Sequence, residues 1–471
     1  MREKEKRIVW LLVLLTALLG LSGCTYAQPD PTPTPVPVIE LPGGLQAPED
    51  AESLDLSALP AEETEAALAR LESFPALREL VLGGEDGGFT LEQIGRLEDE
   101  HPEWRLRYAL NLAGQEVELE SESVDLSALS GAETAEVLPR LRLMPRLRRV
   151  ALGAERENGP DWEQLRALSE AAANADLDYR FTIGGREFNL NATELDLNHI
   201  PMEDEGALVR QVIACMPNLN RLVMDSCGVS NEAMASIRDD YPWVEVVWRI
   251  WFGDCYSVRT DVEKILASIP GIGGNLKSEE LDRTLIYCTK LKYLDLGHNV
   301  TIRDVEFLRY MPDLEVLILA MNHLGDLSPL ADCHKLEYLE LFLSDISDLS
   351  PLSGLTELRH LNIGVCHMLE DLTPLYGLEL ERLYVGQDTG IPREQIEEYE
   401  RLHPDCEVDK IAIDTSSGTW RYTHEHDEDP DYMAQEYYEP GLAPRFALLR
   451  RQFGYNGEKS DYSFTWLDPD I

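Results

Sequence analysis

Between Leu291 and Asp388 the apolar positions fall into one register, repeated five times. Leu291, Leu294 and Leu296 lead to Asn299; Leu314, Leu317 and Leu319 lead to Asn322; Leu336, Leu339 and Leu341 lead to Ser344. Leu358, Leu361 and Ile363 then lead to Cys366, and Leu380, Leu383 and Val385 to Asp388. The middle leucines, 294, 317, 339, 361 and 383, are 23, 22, 22 and 22 residues apart. Such a period predicts one short strand per repeat, with alternate side chains turned inward and the next strand stacked beside it. One repeat cannot bury those side chains; a stack can. The polar residue that closes each strand can reach backbone groups of adjacent turns. A second row keeps step at Asp304, Asp326, Asp348 and Asp371. After the last three come Ser328, Ser350 and Thr373, each directly before a proline, and a short helical turn is predicted to start there.

The N-terminal half has a longer period. Leu54-Asp55-Leu56-Ser57 returns as Val124-Asp125-Leu126-Ser127 and as Leu195-Asp196-Leu197-Asn198, so the aspartates are 70 and 71 residues apart. Each copy predicts a helix, a second strand (around Leu77–Leu80, Leu147–Val150 and Leu219–Leu222), another helix, and a third strand around Trp104–Leu112, Tyr179–Ile183 and Val244–Trp251. Thr90 with Gln93, and Ser130 with Glu133, have the spacing of capping boxes. Ala113-Gly114 and Gly184-Gly185 predict hairpin turns. Helix-like stretches at 261–268 and 278–287 join the two halves.

The block from Leu291 to Asp388 resembles the short-repeat, internalin-like class of bacterial leucine-rich repeats. The fold expected is α/β: a leucine-rich repeat solenoid with helix-containing repeats N-terminally, 22-residue repeats C-terminally, and a C-terminal cap. The domains expected are three helix-containing units over 51–258, a leucine-rich repeat domain over 259–410, and a cap over 411–471 that covers the last open turn.

Ahead of the repeats, a basic start and a short apolar run from Ile8 to Gly20 read as a secretory signal, too short for a comfortable membrane span. Leu21-Ser22-Gly23-Cys24 resembles a bacterial lipobox, which implies cleavage before Cys24 and a lipid on its thiol. Residues 1–24 are therefore expected to be a lipoprotein signal, and 25–50 a Pro/Thr-rich, extended linker that lifts the folded part off the membrane. The location implied is the extracellular face of a bacterial cell membrane, held by the lipid alone.

Charge and cysteines narrow the chemistry. With 87 acidic residues against 41 Lys plus Arg, the net charge of −46 argues against nucleic acid and against an anionic lipid surface. Eight cysteines in an exported chain suggest disulfides, but the repeats give four of them structural places. Cys288 and Cys333 share an apolar slot with Met311 and Leu355; Cys227 and Cys366 stand in the Asn row. Cys215, Cys255 and Cys406 have no such place. No GxSxG, HExxH, Walker or GxGxxG motif occurs, so no catalytic residue and no cofactor is expected. The densest cluster of metal-ligand types, His424-Glu425-His426-Asp427-Glu428-Asp429, reads as a solvated acidic loop, and no metal site is assigned.

The strand residues between the leucines should point to the concave face. Tyr293, Val316, Tyr338, His360 and Arg382 form one row; Asp295, Ile318, Glu340, Asn362 and Tyr384 the next; His298, Met321, Leu343, Val365 and Gln387 the third. With Phe342 these include an apolar patch expected to be exposed, and such patches mark interaction sites. The expected partner surface is Tyr293, Val316, Ile318, Met321, Tyr338, Phe342, Leu343, His360 and Tyr384, with Tyr338 and Phe342 as anchors outside the leucine core. The function expected is protein–protein recognition, with an unidentified protein or peptide as partner. A covered face would instead fit a passive envelope spacer, and a metal-dependent activity would have to reside in 411–471.

Overall fold

The middle leucines of the short repeats lie side by side in one parallel sheet, with Leu294 opposite Leu317, Leu317 opposite Leu339, Leu339 opposite Leu361, and Leu361 opposite Leu383. This is a computed structural model, and it describes residues 36–253, 256–268, 276–386, 388–410 and 420. The sheet has seven strands, closed by Lys264–Leu266 at one edge and Glu407–Asp409 at the other. The inward leucines are fully buried, and each such side chain contributes about 1.5–3 kcal/mol. The return limb of the first four repeats is a 3-10 turn and that of the fifth is the helix Arg393–Leu402; Ser328–Asp332, Ser350–Gly354 and Thr373–Leu375 begin at the predicted hydroxyl residues. Asp326, Asp348 and Asp371 each accept from the backbone N–H two residues on, at 2.8, 2.8 and 2.9 Å, which fixes the chain entering that turn.

Inside the stack the closing row works as a ladder. Asn299 Nδ2 donates to the carbonyls of Ala267, Leu296 and Gly297, and Asn322 Nδ2 to those of Leu296 and Leu319. In the same row the Cys366 thiol donates to the Leu341 carbonyl at 3.3 Å. The residue before each closing position (Asn299, Asn322, Ser344 and Cys366), namely His298, Met321, Leu343 and Val365, has φ between 56° and 61°. This left-handed bend carries the chain inward, and it costs about 1–2 kcal/mol at each non-glycine position.

The contacts divide the chain into two compact units. One comprises residues 36–121 with Pro139–Arg146; the other comprises Glu122–Leu138 and the chain from Leu147 onward. In the first, strands Ser53–Asp55, Glu79–Gly84 and Arg105–Leu112 run parallel, and Gln115–Glu118 turns back antiparallel. Helices Ala61–Leu68 and Leu91–Glu100 connect them. The second helix starts with a capping box: Gln93 N–H donates to Thr90 Oγ1, and Thr90 N–H to Gln93 Oε1. Ala113 and Gly114 both have positive φ, as the tight hairpin requires.

The second unit repeats this plan with strands Ser123–Asp125, Arg149–Ala154, Asp176–Ile183 and Arg186–Asn189. A third parallel set follows at Glu194–Asp196, Arg221–Val223 and Glu245–Val247. Beside it the hairpin Arg249–Phe252 with Tyr256–Arg259 carries a buried ion pair. Arg249 Nε donates to both Asp225 oxygens at 3.0 Å and its Nη2 lies 2.8 Å from Oδ2, with the side chains 3% and 4% exposed. Each unit is thus built of leucine-rich turns, and the architecture is the α/β leucine-rich repeat fold.

Two expectations change. Residues 261–268 contain the edge strand Lys264–Leu266 rather than a helix. Its run Ile265-Leu266-Ala267 is too short for periodicity to decide, and pairing of Ile265 with Leu294 decides it. The Pro/Thr-rich stretch expected to be extended through residue 50 contains a small antiparallel hairpin, Val38–Glu40 with Gln46–Pro48, turning through Gly43 and Gly44 with positive φ.

Cys227, Cys288, Cys333 and Cys366 are buried free thiols, as is Cys215. Burial pushes Cys215, Cys288, Cys333 and Cys366 up to about 12 and Cys227 to about 11, so little reactive thiolate exists at neutral pH. Thiol titration should detect these five only after denaturation; prompt labelling of the native protein at any of them would contradict the packing. Cys24 and Cys255 lie outside the described residues.

The first unit also holds a perturbed carboxyl. Glu98 sits in the last turn of helix Leu91–Glu100, the negative end of its dipole. Burial first, then the charges of Glu120 and Asp99, raise it from 4.5 to about 7. A native pKa above the unfolded one means that the folded state binds the proton more tightly, so stability falls as pH rises from about 4.5 to 7. Glu98→Gln should therefore be more stable than wild type by about 1–2 kcal/mol at pH 8 and indistinguishable from it at pH 4.5. Denaturant melts at the two pH values check this, and an equal gain at both would refute the assignment.

Candidate functional site

The sheet register sets the side chains of the strand face in rows. Tyr293, Val316, Tyr338, His360 and Arg382 are mutual neighbours in one row, and Asp295, Ile318, Glu340, Asn362 and Tyr384 in the next. These are the rows read from the spacing. Their exposure is not as expected. Tyr293, Val316, Ile318 and Tyr384 are fully buried, and Tyr338, Phe342 and His360 are 2%, 5% and 7% exposed. Met321 is half-buried and packs on the same cluster. Only Leu343, at 40%, presents a largely open side chain from the predicted set. The exposed apolar patch is therefore corrected to a buried cluster with an accessible fringe.

The described residue that seats on this cluster is Trp420, itself 2% exposed. Its indole lies 5.3 Å from the Tyr338 ring and 5.8 Å, edge-on, from that of Tyr384. The indole N–H donates to Glu340 Oε2 at 3.0 Å, and the Tyr338 hydroxyl lies 3.3 Å from the same oxygen. Glu340 is fully buried, and a buried carboxyl oxygen needs such donors. Arg382 closes the other side: its Nη1 donates to the Trp420 carbonyl at 3.2 Å, and its guanidinium stands 5.3 Å from the ring centroid. His360 Nε2 lies 3.4 Å from Glu381 Oε2, and the His360 and Tyr338 ring centroids are 6.0 Å apart.

A glycine shapes the seat. A Cβ on Gly364 would stand 2.7 Å from Cδ1 and Cε1 of Tyr384 and 3.2 Å from Phe342 Cδ2. Any side chain there would push both rings out of line with the indole. Of the residues that make the seat, Phe342, Tyr338 and Tyr384 were predicted, whereas Glu340, Arg382 and Trp420 were not. Glu340 and Arg382 stand in the rows, but nothing in the spacing marks a charged residue there as part of a seat.

Among the described residues no group of three or more His, Cys, Asp or Glu is placed to hold a metal ion, and no helix is long and apolar enough to cross a membrane. Cys24 and the His424–Asp429 cluster lie outside the described residues. The arrangement holds an indole through tilted and edge-on ring contacts, one hydrogen bond from the indole N–H and one to the main-chain carbonyl.

The repeat family described as Leucine Rich repeat matches residues 287–305. An internalin from Listeria monocytogenes is similar in structure at 18% identity, over 73% of this chain and 84% of that one, with a TM-score of 0.27. A leucine-rich repeat protein of Leptospira interrogans is similar at 16% identity, over 77% and 96%, with a TM-score of 0.27. The functional domain of InlJ from Listeria monocytogenes is similar at 12% identity, over 80% and 68%, with a TM-score of 0.24. Among curated proteins nothing matches the sequence.

Proposed function

We propose that this leucine-rich repeat protein is a lipid-anchored recognition protein of the bacterial cell surface, which binds a protein or peptide chain on the strand face of residues 291–388. One observation carries the recognition reading: the face grips a segment of polypeptide, its own Trp420, by ring, indole N–H and main-chain carbonyl at once. A rigid array of rows loses little freedom on binding. The anchor rests on the Leu21-Ser22-Gly23-Cys24 sequence.

The accessible fringe supplies the test of recognition. Leu343→Asp, at a largely open position, should leave the melting curve unchanged and cut capture of a surface-extract partner at least tenfold, the order expected for an interface anchor. Capture indifferent to this change would place recognition elsewhere. For the anchor, palmitate should label the wild type and not Cys24→Ala, and only the wild type should fractionate with membranes. Equal membrane retention of both forms would falsify it.

The burial of Tyr338, Phe342 and Tyr384 favours a second reading, a passive spacer whose face stays permanently closed.

A further inference from the structure

From the seat of Trp420 we infer that the face around Glu340 is a binding site for an indole-bearing peptide segment, and that Trp420 is the exchangeable occupant that keeps it closed. This rests on the recognition reading above and specifies its ligand. A side chain buried only as filler needs no particular polar partner, and a Leu or Phe would do as well. Trp420 has two. Its N–H meets Glu340 Oε2 at 3.0 Å, and its own carbonyl takes Arg382 Nη1 at 3.2 Å. Together they read one indole donor, which sets a tryptophan apart from other apolar residues, and one main-chain acceptor, which any peptide segment supplies. The surrounding rings come from strands Tyr338–Glu340 and Arg382–Tyr384, which belong to the rigid sheet. The occupant comes from outside the repeats: the indole reaches Glu340 across 80 residues of sequence. A seat fixed in the scaffold and an occupant far along the chain are the parts of an intramolecular competitor. An incoming segment has to offer the same indole and carbonyl, and its apparent affinity is lowered by the fraction of time Trp420 holds the seat.

The test uses the full-length protein and three probes: N-acetyl-tryptophanamide, its 1-methyl-indole analogue, and a synthetic peptide of residues 415–425. Trp420→Gly should bind N-acetyl-tryptophanamide by calorimetry and gain thermal stability from it, whereas the wild type should not. The 1-methyl analogue, which lacks the N–H, should bind about tenfold more weakly, as expected for losing one hydrogen bond to a carboxyl group. The 415–425 peptide should bind Trp420→Gly and be excluded from the wild type. If Trp420→Gly does not fold, Trp420→Phe keeps a ring and drops the donor; it should admit the peptide about tenfold more tightly than the wild type does. Equal binding of the methylated and unmethylated probes, or equal binding of the peptide to wild type and variant, overturns the proposal. Capture indifferent to Leu343→Asp, with intact probe binding, would sink the surface-recognition reading and leave the seat standing. Capture that is lost in Leu343→Asp, with no probe binding to Trp420→Gly, would do the reverse.

Discussion

Replacing Tyr338 and Phe342 together with alanine should lower the unfolding free energy of the short-repeat array by about 5 kcal/mol or more. Each ring is all but fully buried in the cluster with Val316, Ile318 and Tyr384. Truncating a buried Phe costs about 3–5 kcal/mol, through lost transfer energy and the cavity left behind. Tyr338 adds its hydroxyl beside Glu340 Oε2, so that buried oxygen also loses a neighbour. The two effects will not add simply, because the rings share one cluster. Glu306→Ala, on an exposed 3-10 turn, should stay within about 0.5 kcal/mol of wild type. Denaturant unfolding followed by circular dichroism reads both. A loss below about 1 kcal/mol in the double variant would mean that the rings are not packed. The repeat pattern alone puts Tyr338 and Phe342 outside the leucine core, where the double change would spare folding, so this experiment separates the two pictures.

Arg249→Met should cost about 3–5 kcal/mol in the second unit. The arginine covers both oxygens of Asp225, and the pair is almost wholly excluded from water. Removing it strands a carboxylate whose other contacts include the Ser226 hydroxyl at 2.9 Å. Asp225→Leu combined with Arg249→Met should recover at least half of the loss, because replacing both charges removes the uncompensated one. Recovery of nothing would show that the hairpin depends on the ion pair itself rather than on avoiding a lone charge. Thermal melts of the single and double variants decide.

The inward leucines were legible because burial in a stack imposes one spacing on every repeat, and the sequence keeps it through Leu294, Leu317, Leu339, Leu361 and Leu383. The same spacing placed Tyr338 and His360 correctly in one row. It could not say what lies over that row. Trp420 falls where no period runs, and its bond to Glu340 spans 80 residues; periodicity reports which side chains share a face, not what a distant segment does to it. The edge strand at Lys264–Leu266 escapes the pattern for a related reason, since three residues show no period of their own.

The inner ladder and the outer seat meet in the same repeats. Asn299 and Asn322 tie their turns together with amide hydrogen bonds, but the row then passes to Ser344 and Cys366. The Ser344 hydroxyl is buried with no hydrogen-bond partner among the described residues, and a thiol is a weak donor. Across these turns, on the opposite side of the sheet, Trp420 touches Tyr338 at one end and Tyr384 and Arg382 at the other. The indole is therefore a strut, bracing from outside the stretch whose internal rungs are thinnest. Whatever takes its place must carry that load as well as fit the seat, and a ligand that fills only the indole subsite leaves the repeats around Ser344 and Cys366 with one brace fewer.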